Sequence, residues 1–256
     1  MNGARYRNRR PWCRLTPRGD AQSRRKGAYS RAVPPAQRNR LRPASRVGER
    51  LPVALLAVLT LICLATAWNP PAGRKNWALE VVPGLLLVAW QVATFKKFRL
   101  SNIVYVGTFL HLLVLIYGGF YSYAHTPLGD WAKETFHLSR NHYDRIGHFA
   151  LGFFPALLTR EILLRKTPLV VGGWLGFLAG SVVFAAGAFC ELIEWWTTLV
   201  VAGDLGQAFL GSQGDIWDAQ WDMFLVGIGA VVALVFFGKF HDRSMRASTE
   251  LLTASA

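Results

Sequence analysis

The sequence predicts an all-α fold, a polytopic membrane protein with six transmembrane helices in one bundle. Three observations carry that prediction. Of the 256 residues, 52% are hydrophobic, and the mean hydropathy of +0.24 is high for a water-soluble domain. From Leu51 onward, six apolar segments follow one another, each near the ~20 residues that cross a ~30 Å hydrocarbon core. The formal net charge of +14 is gathered at the start, where residues 1–50 hold fifteen of the 29 basic residues and only two acids, Asp20 and Glu49. The basic character therefore belongs to the leading tail, and no folded nucleic-acid surface is expected. Cys13, Cys63 and Cys190 lie far apart, with neither metal-ligand spacing nor a disulfide framework.

Residues 1–50, with Arg-rich runs, scattered Pro and little apolar content, read as a disordered cytoplasmic tail. Near a membrane, each basic residue is worth about 1 kcal/mol of attraction to anionic headgroups. The simpler reading is that the tail only sets topology. An over-extended start of the reading frame and an Arg-rich transit peptide are further readings of the same composition.

The membrane domain spans 51–238, and 239–256 reads as a short cytoplasmic tail. Leu51–Trp68 and Trp77–Thr94 are the first two segments, joined by the Pro/Gly turn NPPAGRK. Ile103–Tyr123, Arg145–Leu164, Leu169–Trp196 and Ala219–Gly238 complete the set, the fifth being over-long. Basic residues fix the orientation. Lys96, Lys97 and Arg99 share one side with Arg160, Arg165 and Lys166 and with Lys239, Arg243 and Arg246, which puts both termini in the cytoplasm. The opposite loop, Val201–Trp217, carries Asp204 and Asp215 and no Lys or Arg.

The polar residues of the spans gather at the outer face. The stretch QGDIWDAQWD places Asp215, Asp218 and Asp222 at helical spacing before sixteen uncharged residues. Asp144 and His148 open the fourth segment at i,i+4, Glu191 and Glu194 close the fifth at i,i+3, and Glu80 is a further acid at the same level. Arg145 is the obvious base nearby and cannot neutralise six acids. Such an excess is resolved by a bound divalent cation, by protonated carboxyls, or by a wet cavity. Oxygen ligands suit Mg²⁺, Ca²⁺ or Mn²⁺, and added His suits Zn²⁺. The metal-ligand candidates are Asp144, His148, Asp215, Asp218 and Asp222; His148, Glu191 and Glu194 are the candidate proton-transfer groups. Asp222, the deepest acid of its helix, is the residue hardest to explain structurally.

Other residues have plainer readings. His111, mid-span with Tyr105 and Tyr117 at neighbouring turns, reads as a satisfied interior histidine. His125 and His137 lie in the outer loop 124–141 and His142 directly follows it, where a lid or ligand role competes with simple solvation. Arg160 and Glu161 read as an interface anchor, and Trp195, Trp196, Trp217 and Trp221 as an aromatic belt. Gly172, Gly173, Gly176 and Gly180 have the spacing of close helix packing.

The runs NHYDRIGHFALGF, CELIEWW and QGDIWDAQWDM, in this order, resemble the YjdF family of bacterial inner-membrane proteins over roughly Leu51 to Gly238. More loosely the pattern is similar to the VanZ-like group, in which Asp144, His148, Phe149, Glu191, Glu194, Asp218 and Asp222 occupy matching positions. The resemblance implies a multi-pass protein of the bacterial cytoplasmic membrane, speaks against a transit peptide, and imports no activity. The leading functional expectation is a divalent-cation site acting on a lipid-linked or envelope substrate, with membrane lipid as surroundings and nucleic acid excluded. An ion- or proton-coupled transporter is the first alternative, disfavoured because polar residues mostly stop at the outer third. A structural or assembly protein is the second.

Overall fold

The computed structural model describes residues 46–200 and 212–254, with side chains from Arg50 to Val200 and from 212 to Ser248. Expectations for the tail 1–45, including Cys13, and for most of the 201–217 loop, including Asp204, lie outside the described residues. Among those residues the chain forms seven α-helices and no strand. They are α1 (Arg46–Trp68), α2 (Arg74–Thr94), α3 (Asn102–Tyr121), α4 (Pro127–Phe136), α5 (Tyr143–Lys166), α6 (Gly173–Val200) and α7 (Asp218–Ala254). Six of them are long and apolar enough to cross a membrane; α4 is the exception.

Local chemistry sets the joints. Gly73, at φ +85°, makes the turn into α2, and Arg74 donates twice to the Trp68 carbonyl left open at the end of α1. Pro127 opens α4, where a missing N–H costs nothing, and His137 closes it in the left-handed conformation at φ +53°. α4 occupies most of what the sequence presents as an open loop, so His137 serves as a helix terminator and His125 stays exposed. The sixth span does not stop at Gly238: α7 continues to Ala254, and His241 is fully buried.

α5 is the hub of the bundle, packing against α3, α6 and most extensively α7. Its crossing with α7 is close because two glycines face backbone. A methyl group on Gly152 would run into the Val226 carbonyl, and one on Gly229 into the Phe149 carbonyl. Gly187 brings α6 to the same point, with Val226 Cγ2 2.8 Å from where its Cβ would be. The glycines expected to do this do not. Nothing lies within 4 Å of a Cβ placed at Gly172, Gly173 or Gly176, and Gly180 meets only Leu234 at 3.8 Å. Outward faces are apolar, with Leu61, Leu86, Phe177 and Phe236 each more than 60% exposed, as a lipid-facing surface requires. Trp195, Trp196, Trp217 and Trp221 are exposed as expected of a belt.

The end of the bundle remote from Asp144 holds a buried ionic network that corrects two expectations. Glu161 is 1% exposed and accepts from Ser101 Oγ at 2.6 Å, Arg165 Nη1 at 2.8 Å and His241 Nε2 at 3.0 Å. Arg160 Nη1 lies 3.2 Å from His241 Nδ1 and 2.8 Å from Asp242 Oδ1. A guanidinium only donates, so Arg160 can hydrogen-bond His241 only where Nδ1 accepts. Arg160 and Glu161 are thus an internal tie between α3, α5 and α7, not an interface anchor. Nor do polar residues stop at one end: Gln91 bonds Thr108 at 2.8 Å, and both nitrogens of buried His111 lack a hydrogen-bond partner.

Candidate metal centre

Three helix ends build the other pole of the bundle. Asp144 lies in the first turn of α5, where a carboxylate suits the positive end of the helix dipole, and His148 follows one turn deeper. Asp218 begins α7 with Asp222 one turn in, and Glu191 and Glu194 lie in the last three turns of α6. The Gly152–Val226 contact lies one turn below both His148 and Asp222, so the crossing itself sets these two side chains opposite each other.

An upper tier of the site is neutralised by arginine. Arg140, 4% exposed, bonds Asp218 Oδ1 and reaches Asp215 at 3.7 Å and Asp144 at 3.9 Å. Arg145 Nη2 binds Asp215 at 2.7 Å, and its guanidinium lies 5.3 Å from the Trp221 ring centre. Arg145, the obvious base from the sequence, is therefore joined by Arg140. Arg140 sits in an irregular segment, where no periodicity tells which way a side chain faces. Its neighbour Asn141, fully buried, anchors that segment by bonding the Asp130 carboxylate, the Thr126 carbonyl, the Tyr143 amide and both ends of the Gln213 amide group.

Asp215 does not join the helical stack. Gln213 and Gly214 take positive φ, the helix begins only at Asp218, and Asp215 Oδ1 accepts from the Trp217 amide at 3.0 Å. Asp215 and Asp218, both expected as ligands, are thus engaged with the arginines. Tyr123, absent from the sequence expectations, covers this region. Its ring fills the hollows at Gly118 and Gly147, and burial pushes its phenol well above the usual range, with Glu80, Asp144, Tyr143 and Glu194 adding to the shift.

The lower tier is different. His148, 6% exposed, hangs among carboxylates without a hydrogen bond to any of them. Its Nδ1 is 3.4 Å from Glu191 Oε1, and its Nε2 is 3.6 Å from Asp144 Oδ1 and 3.9 Å from Glu194 Oε1. Buried Nδ1 of His148, Oε1 of Glu191 and Oδ1 of Asp222 all lack a hydrogen-bond partner. Two three-residue sets, Asp144/His148/Asp222 and His148/Glu191/Glu194, each offer ligand atoms within 4.8 Å of one another. Ligands about 2.1 Å from one ion stand roughly 3–4 Å apart, so the Nε2 separations from Asp144 and Glu194, or the Nδ1 separation from Glu191, have the length that a cation shared through that one nitrogen requires.

These residues lie inside the part of the chain that has known relatives. The chain is 40% identical over 188 residues to the inner membrane protein YjdF of Escherichia coli (strain K12), a match covering 73% of this chain and 89% of that protein. No solved structure matches. Neither finding bears on the looser VanZ-like likeness. The family model for predicted membrane proteins designated DUF2238 matches residues 51–243, and the chain belongs to that family.

Proposed function

We propose that this is a multi-pass inner-membrane protein, as the name of its Escherichia coli relative suggests, whose acid and histidine site binds a divalent cation and acts on a lipid-linked or envelope substrate. One observation carries the reading: His148, Glu191 and Asp222 each hold a buried polar atom without a partner, and His148 shares one possible ligand set with Asp144 and Asp222 and another with Glu191 and Glu194. Leaving such atoms unpaired costs about 1–3 kcal/mol each, more when charged. An ion held by His148 with either pair of carboxylates would satisfy the atoms of that set. Oxygen-rich ligation with one imidazole suits Mn²⁺ or Zn²⁺, and Mg²⁺ with more water. A bound ion would polarise a phosphate or carbonyl oxygen, while His148 or a glutamate outside the ligand set moves the proton.

The basic residues of the far end, Lys96, Lys97, Lys166, Lys239 and Arg243, support that end as cytoplasmic and the site as outward-facing, with both termini inside. The test is isothermal titration of Mg²⁺, Ca²⁺, Mn²⁺ and Zn²⁺ into detergent-purified protein beside Asp222→Asn and His148→Ala. Saturable binding lost in both variants supports the reading, and absence of binding in the unaltered protein removes it. The second reading, an ion- or proton-coupled transporter, draws on the far-end network and on the unpartnered His111 between the two poles. Proton uptake by proteoliposomes that vanishes in His111→Phe would favour it.

A further inference from the structure

At the pole that holds the metal centre, the chain between α3 and α5 folds into α4, a 10-residue helix. At about 15 Å it has half the length that crossing a ~30 Å hydrocarbon core requires. Its sequence is two-faced. Leu128, Trp131, Ala132 and Phe136 follow at i, i+3, i+4 and i+8 and share one face, where the Trp131 and Phe136 rings meet edge to face at 6.1 Å. Asp130, Lys133 and Glu134 take the other face. The edge between the two is pinned to the protein. Gly129 is buried where a methyl group would run into the Asn141 carboxamide, Asp130 accepts from Asn141 Nδ2 at 2.9 Å, and the Leu128 amide donates to the Tyr117 hydroxyl at 3.1 Å. The apolar face is left open, with Trp131 58% and Phe136 64% exposed among the described residues.

Two occupants compete for such a face, a second protein and the bilayer. A patch of roughly 15 by 10 Å falls well short of the ~800 Å² that each partner buries in a stable complex. The patch is also continuous with the lipid-facing surface of the bundle. Leu128 and Ala132 form one wall of a groove whose other wall is Ile146 and Phe149 of α5 and Leu225 of α7, with Ile146 itself exposed. Tyr121 ends one span and Tyr143 begins the next, so α4 between them lies at a membrane boundary, the level at which Trp and Tyr rings partition. We propose that α4 is an in-plane helix of that boundary, with Leu128, Trp131, Ala132 and Phe136 seated among the acyl chains and Asp130, Lys133 and Glu134 turned toward water. Through Asp130 and Asn141 it holds the segment that carries Arg140, so this arginine stands where headgroups and water meet. The lipid contact rests on α4 alone and is independent of the cation reading.

The experiment is power-saturation electron paramagnetic resonance of full-length protein in bilayers of phosphatidylethanolamine and phosphatidylglycerol. Cys13, Cys63 and Cys190 are replaced by Ala, and one nitroxide is attached at Trp131→Cys, Phe136→Cys or Glu134→Cys. Leu61→Cys on the lipid-facing surface and the exposed Arg246→Cys calibrate oxygen, which concentrates in lipid, against a water-soluble nickel chelate. The expected result at 131 and 136 is strong relaxation by oxygen and loss of relaxation by nickel, as at Leu61→Cys, with the nickel response present at 134. Nickel relaxation as strong at 131 and 136 as at 134 would put α4 in water and overturn the proposal. Shielding of 131 and 136 from both reagents would put protein on the face and overturn it equally. The unaltered protein supplies a second readout: photolysis of bilayers containing a phosphatidylcholine with an acyl-chain diazirine should label the peptide that carries Trp131 and Phe136. That peptide left unlabelled beside labelled spans would overturn the lipid contact. Neither readout uses a cation, so the cation reading can fail without touching this one.

Discussion

Replacing Gly152 by Ala tests the geometry on which the site depends. A methyl group there would lie 2.8 Å from Val226 Cα and closer still to the Val226 carbonyl. Carbon atoms pack at about 3.5–4.0 Å, so α5 and α7 would have to part by roughly 1 Å. Overpacking of this kind costs about 1–3 kcal/mol, against which alanine returns up to about 1 kcal/mol of helix propensity. Gly176→Ala receives the same propensity gain with nothing within 4 Å to obstruct it. The propensity gain is common to both, so the two variants should differ by the overpacking cost, about 1–3 kcal/mol, with Gly152→Ala the less stable. In a chain of this size that is roughly 2–12 °C between their unfolding midpoints, read in the same detergent. His148 and Asp222 sit one turn from the contact, so divalent-cation affinity should fall in Gly152→Ala alone. Equal midpoints for the two variants would refute the close crossing.

Two further predictions concern charge. Glu161→Ala leaves His241, Arg165 and Ser101 without their common acceptor and should cost about 3–5 kcal/mol in detergent unfolding. Arg246→Ala, exposed and bonded to the Asp242 carbonyl at 3.4 Å, should stay within about 0.5 kcal/mol. Arg140→Met strips Asp144, Asp215 and Asp218 of their buried cation, so the variant should unfold earlier than the parent in EDTA and recover more of the loss when Ca²⁺ or Mg²⁺ is added. Equal responses to the ions would contradict the neutralising role of Arg140.

The helices were legible because a membrane span is a composition as well as a pattern: six apolar runs of the right length leave little choice of fold. The pairing of Asp144 with His148 and of Asp218 with Asp222 was legible for the related reason that i,i+4 residues share a helix face. Periodicity fails where the chain is irregular. Asp215 looked helical until Gln213 and Gly214 took positive φ, and Arg140 carried no directional signal in its loop. It fails again for pairs that are distant in sequence. Glu161 meets His241 eighty residues away, and Gly152 was masked by the more regular glycine series of α6, which faces open space. A signal for the network did exist, since Arg160, Glu161, His241 and Asp242 are charged or polar residues at the same end of two long helices.

Divalent-cation ligation by His148 is the central claim, and pulsed electron paramagnetic resonance of Mn²⁺-loaded protein addresses it directly. Nitrogen from a coordinated imidazole modulates the spin echo of Mn²⁺, whereas carboxylates and water alone give no such modulation. The account predicts ¹⁴N modulation in the parent protein that disappears in His148→Ala and persists in His125→Ala, an exposed histidine. Bound Mn²⁺ without nitrogen modulation in the parent would contradict it, leaving the ion on surface carboxylates and the buried cluster without its cation.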